Sequence, residues 1–226
     1  MSQQKIFVVV AGNIGTGKTT LTQMLSKEFG WDAHFEAVTD NPYLKDFYGD
    51  MARWSFPLQV FFLNNRFKTH QGIALGSTSA IQDRSIYEDA NIFARNLRET
   101  SVMSERDYLN YLDLYETMCK FLTPPDLMIY LRKSLPNLKS QIQKRGRDFE
   151  KNIPDEYLSS LNRYYDEWVS RYDLGKKLII ESDHLDFVKN PNDFGGIAKQ
   201  VVEQLDQRDF FLENQRVKFE SPRTFL

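Results

Sequence analysis

Residues 6–19 read IFVVVAGNIGTGKT, and the fold is decided there. Residues 6–11 form an unbroken apolar, β-branched run that stops at Gly12. A strand without alternation is apolar on both faces, which predicts a parallel sheet covered by helices on each side. Residues 12–19, GNIGTGKT, then fit the phosphate-loop pattern G-x-x-x-x-G-K-[ST] in full. Gly12, Gly15 and Gly17 permit backbone angles that turn N–H groups inward, making an anion nest. After them, Leu21, Met24, Leu25 and Phe29 recur at helical spacing, so a helix N-terminus is predicted to face the same anion. In such a loop Lys18 reaches the β- and γ-phosphates and Thr19 offers its hydroxyl to Mg2+. The expected cradle is therefore Gly12, Asn13, Ile14, Gly15, Thr16, Gly17, Lys18, Thr19 and Thr20. It calls for a nucleoside triphosphate with magnesium and leaves the reaction open.

Working outward, short apolar runs predict further strands at 33–36, 79–83, 126–131 and 177–180. Helical periodicity predicts helices over 18–29, 54–75, 87–97, 104–122, 136–144 and 154–171. Ser104 is placed to cap its helix, with Asp107 at the capping-box position, and Pro124 and Pro125 stop it. Strands alternating with helices predict an α/β fold: a P-loop three-layer sandwich around a parallel five-stranded sheet. No Pro/Gly/Ser-rich linker divides the chain, so residues 1–226 are expected to form a single domain. The charged stretch KRGRDFEK over 144–151 predicts a small arginine-bearing lid, at about 144–152.

The chain has 226 residues, with 29 Lys and Arg against 31 Asp and Glu, a formal charge of −2. That balance gives no bulk positive field for nucleic acid or an anionic membrane, so any bound anion must be held by a local site. The single Cys119 excludes a disulfide framework within the chain and a cysteine metal cluster. His34, His70 and His184 match no metal-ligand spacing. No apolar run approaches the roughly 20 residues a membrane helix needs. With a start, MSQQK, that leads straight into a strand, these features predict a cytoplasmic protein.

In open α/β sheets ligands bind beyond the carboxyl ends of the strands. Two predicted strands end there in acids, Glu36 and Asp83, and Arg84 follows directly. A kinase needs a carboxylate to take the proton of an attacking hydroxyl and acidic help in holding Mg2+. It also needs cations to absorb charge on the phosphoryl group in transit, a part open to Arg145 and Arg147 in the lid.

With these residues in place, the chain resembles the deoxynucleoside kinase family, the P-loop kinases of deoxycytidine, deoxyguanosine, deoxyadenosine and thymidine. The resemblance runs from Ile6 to about Phe187 on six ordered motifs: GNIGTGKTT, FEAVTDNPYL, RWSFPLQVFFLNNR, QDRSIYEDANIF, PPDLMIYL and KRGRDFEKNIP. It implies ATP-dependent phosphorylation of a deoxynucleoside 5′-hydroxyl and a homodimer joined through the long middle helices. By position, it implies that Glu36 is the general base, Arg84 its partner at the 5′ end, and Asp83 the acid near Mg2+ alongside Thr19. Tyr48 and Glu150 match the pair on the sugar 3′-hydroxyl, Gln59 the amide on the base edge, and Phe93 the aromatic that stacks on the base. Arg66 and Asp89 match a charged pair beside the exocyclic group of the base, and Arg145 and Arg147 the lid arginines that close on the triphosphate. The sequence departs from some relatives in having Asp83 rather than Glu and Gln141 rather than a lid arginine.

A carboxylate at Asp89 accepts from the amino group of adenine or cytosine and repels the carbonyl of thymine. Thymidine is accordingly expected last, and the resemblance makes deoxyadenosine the first expectation, bacterial relatives of this size often being purine kinases, with deoxycytidine and deoxyguanosine next. Two alternatives stay open at this point. A nucleoside monophosphate kinase would need more cations near its acceptor and no general base. A catalytically silent, kinase-like structural subunit would have no need of Lys18, Glu36 or Arg84.

Overall fold

β1 (Phe7–Gly12) is buried along its whole length. Phe7, Val9 and Ala11 pack with Leu63, Tyr130 and Tyr165 on one side of the sheet. Val8 and Val10 pack with Leu21, Leu25, Ile129 and Ile197 on the other. The lack of alternation is explained by these two cores, each face of the strand having its own helix layer. The computed structural model describes residues 5–36, 41–147, 150 and 153–206.

Along the chain, β1 is followed by α1 (Lys18–Phe29), β2 (Asp32–His34), α2 (Leu44–Gly49), α3 (Met51–Leu75) and β3 (Ala80–Asp83). A helical segment then runs as α4 (Ile86–Glu88), a π-helical turn (Asp89–Ala94) and α5 (Arg95–Glu99). Next come α6 (Glu105–Cys119), β4 (Leu127–Arg132), α7 (Leu135–Arg145), α8 (Asp155–Arg171), β5 (Lys176–Glu181) and α9 (Pro191–Asp206). Among the described residues the sheet has five strands in the order β2-β3-β1-β4-β5, every neighbouring pair parallel. This is the expected α/β three-layer architecture. Among the same residues no helix is long and apolar enough to cross a membrane.

Five local expectations are corrected. β2 ends at His34, so Glu36 stands two residues beyond the strand and not at its last position. α2 was not expected. α3 starts at Met51, where Asp50 accepts from the Arg53 N–H at 3.1 Å, and it carries Pro57 inside. A proline favours the first helical turn, so the sequence reads as a later start. α9 was also not expected, although Phe194, Ile197, Ala198, Val201 and Leu205 repeat at helical spacing and pack on the β1 and β5 side. The segment after β3 is broken by a π turn rather than running as one α-helix. The cap of α6 is as read: the Asp107 N–H donates to the Ser104 hydroxyl at 3.1 Å. The tail from 207 to 226 lies outside the described residues.

α9 contributes two wholly buried side chains, Ile197 and Val201. Truncating Ile197 to Ala should cost about 2–5 kcal/mol of stability through lost burial and a residual cavity. Urea unfolding followed by circular dichroism checks this; an unchanged midpoint would mean α9 does not cover the sheet.

Candidate active site

The phosphate loop connects β1 to α1 and is shaped by close approach. Gly12 has φ 149°, and a Cβ there would lie 2.8 Å from the Leu131 carbonyl oxygen. Gly15, at φ 84°, would place a Cβ 2.9 Å from the Leu138 oxygen. Asn13 braces the loop: its Oδ1 accepts from the Ile14 N–H at 2.7 Å, and its Nδ2 donates to the Leu158 oxygen and to Asn162 Oδ1. Lys18 is buried and donates to the Asn13 carbonyl at 2.8 Å. Burial, aided by the nearby Arg84 charge, pulls its ammonium down to about 7 despite the acids around it. An ammonium that ionises so reluctantly alone is stabilised by an incoming phosphate.

Beside the loop opens a cavity of about 930 Å³, open solvent at its mouth included. Of the cradle, Ile14, Lys18 and Thr19 line it, while Thr20 is exposed on α1. All eight expected substrate residues line it too: Glu36, Tyr48, Gln59, Arg66, Arg84, Asp89, Phe93 and Glu150. They come from the end of β2, from α2, α3, the β3 end, the π turn and the lid. Chain segments far apart thus converge at the carboxyl ends of the strands. Sequence reasoning missed Phe35, Phe62 and Tyr157, which also line the cavity. Phe62 was within reach, because Gln59, Phe62 and Arg66 share one face of α3 at three- and four-residue spacing.

The charges in the cavity form a chain. Arg66 bonds Glu36 Oε1 with one terminal nitrogen and Asp89 Oδ1 with the other. Arg84 Nε lies 3.5 Å from Glu36 Oε2. Burial pushes the Glu36 carboxyl up, but Arg66, Arg84 and Lys18 together outweigh it and hold the group below its ordinary value. For Asp89 burial wins over Arg66 and raises the carboxyl to about 6. Asp83 is also raised, by burial first, with Lys18 opposing and Glu36 adding to the rise.

Arg84 adopts the left-handed region at φ 69°, a strained conformation for a side-chain-bearing residue, and its N–H donates to the Val10 oxygen. Its guanidinium lies 4.6 Å above the Phe93 ring. The π turn carries Asp89 and Phe93, and it widens the helix where both reach the cavity. The lid arginines converge on an acid: Arg145 Nε donates to Glu150 Oε2 at 2.9 Å, and Arg147 lies 3.3 Å from Oε1. α7 runs through Arg145, so the expected lid at about 144–152 begins within a helix. Residues 148, 149, 151 and 152 of that lid lie outside the described residues.

Four buried polar atoms of cavity residues have no hydrogen-bond partner among the described residues: the donor Arg66 Nε and the acceptors Gln59 Oε1, Asp83 Oδ1 and Asp89 Oδ2. Orphaned buried acceptors are costly and mark where a ligand donates. Asp83 Oδ2 accepts from the Thr19 hydroxyl at 2.5 Å, so the two residues expected to hold Mg2+ are in contact. Among the described residues no group of three or more His, Cys, Asp or Glu gathers in a way that could hold a metal ion. The donor set suits Mg2+, which keeps waters and takes one or two protein oxygens beside phosphates.

Comparison with known proteins agrees with this geometry. The family described as deoxynucleoside kinase matches residues 8–206, beyond the expected limit near Phe187 and through α9. The chain is 38% identical over 199 residues to a deoxyadenosine/deoxycytidine kinase of Bacillus subtilis, covering 86% of this chain and 91% of that protein. It is 36% identical over 213 residues to a deoxyguanosine kinase of Lactobacillus johnsonii, covering 90% and 94%. A solved structure of deoxyadenosine kinase from M. mycoides with bound dATP superposes with a TM-score of 0.77 at 29% identity, over 87% of this chain and 98% of that one.

The state of Lys18 generates a measurable proton uptake. At about pH 8 Lys18 is mostly neutral in the free protein, and triphosphate charge favours its ammonium form. Binding should then take up close to one proton, falling toward none at about pH 6 where Lys18 is already charged. Calorimetry in buffers of different ionisation enthalpy reads this number. Equal uptake by Lys18→Met would assign the proton elsewhere.

Proposed function

This chain belongs to the deoxynucleoside kinase family, and from that premise we propose that its preferred acceptor is deoxyadenosine, ahead of deoxycytidine and deoxyguanosine, with thymidine last. It is an enzyme that transfers a phosphoryl group from ATP to a nucleoside. Both other readings of the sequence give way to this one, since the family match covers residues 8–206 and the chain has Lys18, Glu36 and Arg84.

One observation carries the assignment of roles: Glu36, held between Arg66 and Arg84, lines the same cavity as Lys18 and Thr19 of the phosphate loop. Glu36 takes the proton from the 5′-hydroxyl. Its depressed pKa keeps it ionised at neutral pH, so it is ready to accept. Arg84 steadies that carboxylate and the 5′-oxygen. Tyr48 and Glu150 fix the sugar so that this oxygen lies in line with the γ-phosphate. Lys18, Arg145 and Arg147 absorb the charge on the phosphoryl group in transit. Thr19 and Asp83 would hold Mg2+, which supplies Lewis-acid stabilisation of the phosphate oxygens when bound. Phe93 stacks on the base whatever its identity, and Gln59 offers a donor and an acceptor to its edge.

Asp89 makes the choice of base. Mostly ionised at neutral pH, it accepts from an exocyclic amino group and repels a carbonyl. The relative named for deoxyadenosine and deoxycytidine supports an amino-bearing base. We further assign the protein to the cytoplasm as a homodimer joined through α3 and α6. These two helices pack together, and Leu109 on α6 and Phe121 just beyond it are exposed apolar side chains suited to a partner. The chain folds as a single domain with its lid after α7.

Two experiments test this reading. Glu36→Gln should still bind deoxyadenosine but lose on the order of 10²–10⁴-fold in kcat, the usual loss with a general base; wild-type turnover would remove the role. Among the four deoxynucleosides, kcat/KM should be highest for deoxyadenosine and lowest for thymidine. The gap to thymidine should narrow below about pH 6, where Asp89 gains a proton that it can donate to a carbonyl. Arg66→Met combined with Asp89→Ala should narrow it at neutral pH too. Thymidine as the best wild-type substrate would refute the role of Asp89.

A further inference from the structure

One acid beside the cavity has no part in the reaction as described. Glu88, the last residue of α4, has 0% exposure. Its Oε2 accepts from the Ser85 N–H at 2.7 Å and from the Ser85 hydroxyl at 3.2 Å, the reciprocal half of a capping box. Its Oε1 faces three donors: the Tyr165 hydroxyl at 2.8 Å, the Arg84 guanidinium at 3.3 Å and the Gly12 N–H at 3.4 Å. Capping a helical segment requires only the first oxygen. The second oxygen lies between the entry to the phosphate loop and the arginine of the acceptor site.

Tyr165, on α8, completes the arrangement. Its hydroxyl donates to Glu88 and accepts from Arg84 NH1 at 2.6 Å. Arg84 is thus gripped on two sides, by Glu36 at 3.5 Å and by the Glu88–Tyr165 pair. The two grips differ during turnover. When Glu36 takes the proton of the 5′-hydroxyl it becomes neutral, and its hold on Arg84 weakens while the phosphoryl group is in flight. A buried guanidinium released at that moment would turn toward another acid in the cavity, and Asp83 is within its electrostatic reach. Arg84 also sits on a strained backbone that needs external support.

We propose that Glu88 and Tyr165 are a positioning pair for phosphoryl transfer, holding Arg84 against the reacting oxygen while Glu36 is protonated. The proposal rests on the roles assigned above to Glu36 and Arg84. It is specific to the transition state, so the pair should act on kcat rather than on nucleoside binding.

Steady-state phosphorylation of deoxyadenosine by the full chain tests it, with Arg84→Met as the reference for complete loss. Tyr172→Phe is the control, since its buried hydroxyl has no partner among the described residues. Glu88→Gln should lower kcat by about 10²-fold, the scale of a small misplacement at the reacting centre, and Tyr165→Phe by about tenfold, with KM for deoxyadenosine nearly unchanged. Glu88→Asp, which keeps the charge, should recover part of the loss. A kcat loss at unchanged KM, recovered in part by Glu88→Asp, is a pattern that a purely structural role would not produce. If Glu88→Gln does not fold, Tyr165→Phe decides on kcat and KM alone. Wild-type kcat in both variants, with Arg84→Met inactive, overturns the positioning role and leaves the kinase assignment standing. A fully active Arg84→Met overturns the role of Arg84, and that of the pair with it.

Discussion

Glu36 is shared by two buried arginines, each of which also faces a second acid. Arg66 bonds it from α3 while also bonding Asp89, and Arg84 approaches it from the end of β3 while also facing Glu88. Removing either arginine would leave acids in a setting that burial already makes unfavourable. The chain's long-range order can be read from this constraint. A loop after β2, a residue about four turns into α3 and the residue after β3 must all arrive at one carboxylate, and the sheet supplies a rigid frame common to them.

That frame is the order β2-β3-β1. Parallel pairing sets Val10 opposite Asp83, so the strand that ends in the phosphate loop and the strand that ends in Asp83 and Arg84 finish side by side. The Arg84 N–H then donates to the Val10 oxygen, one step past the last paired residues. The donor and acceptor halves of the site are therefore neighbours because their strands are. α8 closes the assembly from above: it offers carbonyl and amide groups to Asn13 and a phenol to Arg84 and Glu88.

How much of this was legible in the sequence depends on how local each signal is. Lys18 and Thr19 lie in a contiguous motif flanked by its own strand and helix, and the two-sided burial of β1 was readable from its unbroken apolarity. The roles of Gln59, Asp89 and Phe93 were placed through family resemblance, while Glu36 was first marked only as an acid at the end of an expected strand. Glu88 went unread because an acid in a helical pattern looks like any solvated one, and only the fold brings Tyr165, 77 residues away, onto it. The bond from Arg66 to Glu36 was hidden for the same reason. Pro57 concealed the start of α3 by occupying a position that suits a first turn. The π turn had no signal in the apolar pattern, because the one residue it adds falls among side chains that are buried or half-buried throughout.

The charge state of the free cavity bears on the order in which its ligands can enter. Four acids line it, Glu36, Asp83, Asp89 and Glu150, against five cations, Lys18, Arg66, Arg84, Arg145 and Arg147, and one of these, Lys18, holds its proton weakly at neutral pH. With Lys18 neutral the two signs balance, so a bare triphosphate finds no excess of positive charge once past the loop's backbone N–H groups. On the function proposed above, a divalent cation held by Asp83 and Thr19 and a proton on Lys18 would supply the missing positive charge. A neutral deoxynucleoside would meet no such barrier. A protein of near-zero net charge could therefore hold a highly charged anion without a positive surface. The recruited cation and proton would do the work that fixed lysines otherwise do, while Arg66 and Arg84 keep Glu36 ionised.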